Sequence, residues 1–435
     1  MPAKRVLVVG TTSDYIEIIS RRYPRRVLFL TDHKERGGAI EPPPEDGGEI
    51  LCDLMQFDDA TAALRDFLKK NDFELSGVAC FDDESMALAS HIAKTYSLPY
   101  PSVDAVANCR SKFLSKQLWE KAGLPTPRMA MVRNLEETIA FQHRVGGPIV
   151  IKPLTGSGSE LTFACRNEKD CAEAFGRIRE KLKKHANVRM YLADAGSRQP
   201  DPHSVFVVEE YIDGEEYSAD YIVDVNSIEI IRIARKIFST DNSFGTALGY
   251  ILPAKLPSDI DKDVFSKQLL DAAHTLDIQR SFVMVDFIVR NGRAVMLEMA
   301  PRPGGDNLPF LIRQSSGFDI LGATLDFAEG KEVQIPKSEE WIRLIGARII
   351  ASRNGVISEM DTSVALKDMR VRECYLKRHL GHEVVLPPDD YDSRIIGHVI
   401  FEPSDWGNLE NEIVDILQKV SIKQGDVSCT TVPTF

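Results

Sequence analysis

Between Ser281 and Asp306 the chain reads SFVMVDFIVRNGRAVMLEMAPRPGGD, two apolar runs joined by a turn dipeptide, each carrying one carboxylate that it cannot cheaply bury. Those carboxylates are Asp286 and Glu298. An ionised carboxylate inside a β-rich apolar run is costly unless it is paired or bound to a metal, so two of them on adjoining strands point to a shared cation. Parity decides whether they can share one. A two-residue turn at Asn291-Gly292 sets Val285 opposite Glu298 and puts the two acids on opposite faces of the sheet. A three-residue loop, Arg290-Asn291-Gly292, pairs Val289 with Arg293 and makes the acids diagonal neighbours on one face, roughly 7–8 Å apart. We therefore expect the three-residue loop. After Glu298, Pro301, Pro303, Gly304 and Gly305 end the strand, and Arg302 sits where a guanidinium could hold a phosphoryl group.

At 435 residues the chain exceeds one core and suggests about three domains. A net charge of −12 argues against nucleic acid as the main partner, because phosphate-backbone binding needs a basic face. The seven cysteines form no CxxC, so neither a disulfide framework nor a zinc knuckle is expected, and a reducing cytoplasm is the simplest compartment. The apolar run in MPAKRVLVVG is too short for a signal peptide or a membrane span, and no later run reaches about 18 apolar residues.

In chain order, Arg5–Gly10, Arg26–Leu30 and Gly77–Cys80 read as strands alternating with helices, a doubly wound opening. The sequence GTTSDY after the first strand lacks GxGxxG, which argues against a nicotinamide or flavin site. Glu41–Gly48 reads as an exposed loop. Ser111 opens an amphipathic helix closed by Gly123, with Lys112 on its first turn. The helix dipole disfavours a lysine there, so an anionic ligand beside it is the better explanation. Asn134 with Glu137 forms a capping box. The run IVIKPLTGSGSE then sets Lys152 beside a loop of flexible backbone donors, suited to phosphate. The stretch from 190 to 204 reads as a polar connection with His203 at the surface, and Glu209 and Glu210, in VFVVEEYI, as an exposed strand end. Arg232, Arg235 and Lys236 form a basic group that binds an acidic substrate or stays solvated. His274 reads as structural.

These motifs, in this order, resemble the ATP-grasp superfamily, most of all its carboxylate–amine ligases of the L-amino acid ligase and carbamoyl-phosphate-synthase-like group. The resemblance implies an α/β fold with a doubly wound N-terminal domain (1–110), an ATP-grasp domain (111–335) with a lid at about 125–208, and a small β-rich C-terminal domain (336–435). It implies that Lys112 and Lys152 bind ATP phosphates and that Gly156, Ser157, Gly158 and Ser159 form the phosphate loop. Glu209, Glu210, Tyr211 and Ile212 become the adenine hinge, Glu216 the ribose acid, and Asp286 and Glu298 the ligands of Mg2+ or Mn2+. Arg302 and Lys152 become catalytic, with Arg235, Arg302 and Arg313 toward the substrate. The implied activity joins a small-molecule carboxylate to an amine through an acylphosphate, with no membrane partner and homodimers as a habit of the superfamily. The loop lacks the glycine run of biotin carboxylases, Ala300 stands where many members carry Asn, and Ala247-Leu248 stands where ligases of free amino acids carry an acid for the ammonium. That last departure leaves open whether an ordinary α-amino acid is the activated substrate. Formate- or bicarbonate-activating chemistry and nucleotide binding without catalysis are the alternatives.

Overall fold

The computed structural model describes every residue except 1, 186, 193–199, 240–242, 431, 432, 434 and 435. Part of the polar stretch from 190 to 204 therefore lies outside the described residues.

The N-terminal sheet is fully parallel, in the order Glu49–Cys52, Val27–Asp32, Ala3–Val9, Phe73–Ala79. Its central strand is buried from Val6 to Val9, which is why the sequence shows a continuous apolar run rather than an alternation. The sequence reading omitted Glu49–Cys52, whose brief ILC core follows the loop and is too short to show a period.

The lid is a four-stranded antiparallel sheet, ordered Met129–Val132, Phe206–Glu210, Ile149–Pro153, Phe163–Cys165. Two helices cover it, Leu135–Val145 and Glu168–Leu182. The N-cap half of the expected capping box is present, the Asn134 side chain accepting from the Glu137 amide at 2.8 Å, while Glu137 reaches one residue further back and accepts from the Arg133 amide at 2.8 Å.

The third sheet has eight antiparallel strands, in the order Arg293–Ala300, Arg280–Arg290, Glu216–Asp224, Ser227–Phe238, Ala247–Leu252, Leu344–Ile350, Ile395–Phe401, Val371–Leu376. Its last three strands come from beyond residue 336, so the C-terminal segment extends this sheet. A separate small sheet, built on Gly355–Asp361 and Ser421–Gln424, packs with the helix Leu409–Leu417. Helix Lys262–Thr275 backs one face of the large sheet, sharing a core with Trp119, whose ring nitrogen donates to the Ala272 carbonyl at 3.0 Å. The other face meets the N-terminal domain through the helices Leu308–Ser316 and Ile320–Ala328. The active cleft opens between this sheet and the lid.

The joint between Ala247–Leu252 and Leu344–Ile350 depends on close backbone approach. A Cβ on Gly249 would lie 2.1 Å from the Gly346 carbonyl oxygen and 2.9 Å from the Ala347 Cα, and neither backbone atom can swing aside. Gly249→Ala is expected to destabilise the fold by about 1–3 kcal/mol, the usual cost of overpacking. Urea unfolding measures it, and an unchanged midpoint would show that the two strands can part without loss.

Candidate active site

The hairpin that carries Asp286 and Glu298 reaches its geometry by a different route from the one expected. The turn is the two-residue Asn291-Gly292, with φ of 53° and 68°, and Arg290 pairs with Arg293. Pairing runs through Phe287 and Met296, then a β-bulge inserts Leu297, and Asp286 stands directly opposite Glu298. The three-residue loop is thus corrected: parity is restored inside the strand. A bulge also leaves a backbone carbonyl outside the ladder, and the Lys116 ammonium donates to that Leu297 oxygen.

Lys116 is wholly buried, and its Nζ lies 2.9 Å from Glu209 Oε1. Lys152 holds the other oxygen of Glu209 at 2.8 Å. Glu209 is 2% exposed, which corrects the reading of an exposed strand end; the paired lysines are what permit its burial. Burial works against its ionisation, but Lys116 and Lys152 outweigh it and keep the carboxyl below the ordinary range. For Lys116, burial and the neighbouring ammoniums win over Glu209 and bring it down to about 8. Glu210 lies nearer the surface, paired with Arg128 at 2.7 Å.

The carboxylates of the hairpin are matched in the same way. Lys112 lies 3.2 Å from Glu298 and donates to the Gly156 carbonyl. Lys236 pairs with Asp286 at 2.6 Å and also with Glu216. Burial resists ionisation of Glu298, but Lys112, Lys236, Lys152 and Lys116 hold its carboxyl well below the usual range. Burial dominates at Asp286 and lifts it to about 6, with Lys236 opposing and the charges of Glu298 and Glu216 adding to the lift. The phosphate loop is held over this group: Gly156 and Gly158 take φ of 117° and 63°, and the ring of Tyr191 packs so closely on Gly156 that a Cβ would meet it at 2.8 Å.

These residues line a cleft of about 770 Å³ between lid and sheet, which brings together Lys112, Lys152, Gly156, Ser157, Ser159, Glu209, Glu210, Tyr211, Ile212, Glu216, Asp286 and Glu298. Arg302 lies in the adjoining cavity, which shares Lys112, Gly156, Ser157 and Glu298. Its guanidinium forms a two-pronged pair with Asp83, at 2.9 and 2.6 Å, and donates to the Pro303 carbonyl. Two expected substrate residues do not reach the cleft. Arg235 alternates with Lys236 along its strand and so faces the other side, paired with Glu215 at 2.5 Å. Arg313 is exposed on its helix. Arg232 is neither solvated nor free for substrate: it is buried against Asp220 at 2.8 Å, and the second Asp220 oxygen accepts from the Gly304 amide, fixing the PRPGG loop. His203 accompanies Asp201 at 3.1 Å, and His274 meets the Val225 carbonyl at 2.7 Å.

Residues 145–309 match the family model described as ATP-grasp domain. The chain carries an ATP-grasp domain. Among curated relatives, the uncharacterized protein y4rH of Sinorhizobium fredii is 24% identical over 66% of this chain, and the alanine–anticapsin ligase of Bacillus amyloliquefaciens is 25% identical over 61%. Each match spans 56% of the relative, so the chain covers about half the length of the curated relatives it matches. The structure of an L-amino acid ligase from Bacillus licheniformis superposes with a TM-score of 0.74 at 17% identity, covering 98% of this chain and all of that one. That likeness establishes the whole architecture, from doubly wound domain to C-terminal strands, as an ATP-grasp fold.

Three residues in or beside the cleft escaped the sequence reading: Lys116, Lys236 as distinct from Arg235, and Asp83. Lys116 stands four residues after Lys112, hence on the same helix face, and the parity of its strand separates Lys236 from Arg235. Asp83 follows the end of a parallel strand, where ligand groups gather in α/β sheets.

A raised Asp286 would make the binding of a cation at this pair depend on pH. Its folded value of about 6 exceeds the ordinary 3.8, so its contribution to stability is present below about pH 4 and is lost as pH rises through 6. A divalent cation takes the ionised form and gains affinity over the same window. Mg2+-dependent shifts in melting temperature, measured from pH 5 to 8, should grow and level off above about 7. Deleting Leu297 would leave Glu298 opposite Asp286 in an unbroken ladder and remove the carbonyl that Lys116 caps, so those shifts should survive it, whereas Glu298→Ala should abolish them; retention in Glu298→Ala would refute the pair as the cation site.

Proposed function

We propose that this chain is an ATP-dependent ligase that activates a carboxylate as an acylphosphate and joins it to an amine, releasing ADP and phosphate. The observation that carries this reading is the Asp286–Glu298 pair, side by side on one face and ringed by Lys112, Lys152 and Lys236. Among the described residues no group of three or more His, Cys, Asp or Glu could hold a metal alone. Two carboxylates beside a phosphate site are nevertheless what Mg2+ uses, since it takes its remaining ligands from water and phosphate oxygens. A divalent cation held by Asp286 and Glu298 would draw charge from the β- and γ-phosphates.

The chain's own groups supply the rest. The purine edge meets Glu209–Ile212 and the ribose meets Glu216. Lys112 and Lys152 exchange Glu298 and Glu209 for phosphate oxygens, while Lys116 stays on Glu209 and keeps it neutralised. An oxygen of the substrate carboxylate attacks the γ-phosphorus, the bond to the β,γ-bridging oxygen breaks, and ADP departs with that electron pair. Arg302 bounds the cavity beside Lys112 and Glu298 and offsets charge on the transferring group. The amine nitrogen then attacks the acyl carbon, phosphate leaves, and the amine gives up a proton. The phosphate loop covers the acylphosphate against water.

We take 1–110, 111–335 and 336–435 as the functional divisions and the cytoplasm as the compartment. All seven cysteines are free thiols, which suits a reducing milieu. Among the described residues no helix is long and apolar enough to cross a membrane.

The test is hydroxamate formation from ATP, Mg2+ and hydroxylamine across a panel of carboxylic acids, with ADP measured in parallel, because hydroxylamine traps an acylphosphate whatever the natural amine. One or more acids should give hydroxamate and ADP in equal amounts. Glu298→Gln should lower that rate by about 100-fold or more, through loss of the charge that holds the cation. Equal rates in the variant would overturn the site, and absence of hydroxamate with every acid would overturn the ligase reading.

A further inference from the structure

Two groups at the cleft are held from outside it, and both contacts lead back to residues 82–85 of the N-terminal domain, the loop that follows the strand Phe73–Ala79. Asp83 takes the Arg302 guanidinium. The next two residues take a segment of the lid, 187–191. The Asn187 amide donates to Glu84 at 2.9 Å, and the Arg189 guanidinium donates to the Ser85 hydroxyl and lies 3.9 Å from Asp32. Arg110, at the end of the helix Val103–Arg110, donates to the Arg189 and Met190 carbonyls at 3.3 and 3.2 Å. The segment ends on the phosphate loop. Tyr191 is wholly buried, its ring lies against Gly156, and its hydroxyl donates to Glu160 at 2.8 Å. His185 Nε2 lies 3.2 Å from the same Glu160 oxygen, and its ring meets that of Tyr191 edge-on with centroids 4.6 Å apart. Gly156 and Glu160 both line the cleft.

We propose that the loop 82–85 positions the phosphate loop as well as Arg302, with Tyr191 as the positioning residue that passes the contact on, so that pinning the lid to the N-terminal domain slows the departure of a bound nucleoside triphosphate. This rests on the nucleotide site of the ligase reading. Residues 154–160 belong to no helix or strand, so side-chain contacts must fix them. Lys112 supplies one such contact, at the Gly156 carbonyl, but a phosphate oxygen competes for the same ammonium. Tyr191 belongs to the lid core and gives up nothing to the nucleotide. Its bond to an ionised carboxylate is of the stronger kind, and its ring fills the space that Gly156 leaves. One N-terminal loop thereby sets both the guanidinium and the backbone that close on the phosphate chain, and a lid that lets go of Ser85 lets go of the nucleotide.

The experiment measures association and release of β,γ-imido-ATP with Mg2+ by surface plasmon resonance on the full chain, for the wild type, Tyr191→Phe, Arg189→Met and the double variant. Tyr191→Phe keeps the ring on Gly156 and removes only the hydroxyl, and Arg189→Met keeps the stem and removes the charge from Ser85 and Asp32. Each should speed release by about 10-fold, the worth of a hydrogen bond that involves a charged group, with association within about two-fold of the wild type. The double variant should release at most about two-fold faster than the faster single variant, because both substitutions cut one tether. Release is a property of the bound molecules, so a partly unfolded sample does not alter it, and Asn187→Ala, which cuts the Glu84 bond, replaces Arg189→Met should that variant not fold. Wild-type release from either single variant would overturn the proposal, and so would effects that multiply in the double variant. If hydroxamate forms while release is unchanged, this inference falls and the ligase reading stands. If release responds as expected while no acid gives hydroxamate, the ligase reading falls and the tether stands. A wild type that binds no β,γ-imido-ATP overturns both.

Discussion

Charge matching within the cleft is the constraint on which the rest of the site depends. Four cations, Lys112, Lys152, Lys236 and Arg302, meet Glu298, Glu209, Asp286 with Glu216, and Asp83. These groups are buried or partly buried, so each charge is matched by a counter-charge within the protein. The same arrangement prepares the cleft for a phosphate chain. A triphosphate with its cation brings oxygens for the lysines and a metal for the carboxylates, so binding exchanges ion pairs and does not strand them. Lys116 has a different place in this set. It is wholly buried, shared between Glu209 and the Leu297 carbonyl, and no phosphate group need displace it.

Backbone geometry makes that matching possible. A bulge takes up one extra residue, Leu297, so that Glu298 faces Asp286, and it frees the carbonyl that Lys116 caps. The strands Phe206–Glu210 and Arg293–Ala300 are thus tied through one side chain, and lid and sheet share a fixed point beside the two carboxylates of the hairpin. A second anchor lies deeper, where Arg232 and Asp220 hold the Gly304 amide and set the course of the loop that carries Arg302.

Much of this was legible in the chain. The apolar runs with their stranded acids marked the hairpin, the N-cap at Asn134 marked the lid helix, and Lys112 and Lys152 beside a glycine-containing loop marked one wall of the cleft. These are local signals, carried by residues close in sequence. The illegible parts are those set by burial and by pairing between distant strands. Glu209 read as an exposed strand end because nothing nearby in sequence announces that Lys116 and Lys152 will enclose it. Arg235 and Arg313 read as substrate groups because sequence proximity says nothing about facing.

By itself the sequence determined the two acids of the hairpin and the lysines Lys112 and Lys152 of the cleft, their order along the chain, and the type of element that carries each, because capping, turn chemistry and hydrophobic period act over a few residues. Tertiary structure alone decided which charge meets which. The bulge at Leu297, the burial of Glu209, the choice of Lys236 over Arg235 and the docking of Asp83 on Arg302 all depend on long-range register and packing, where a shift of one residue turns a side chain to the opposite face.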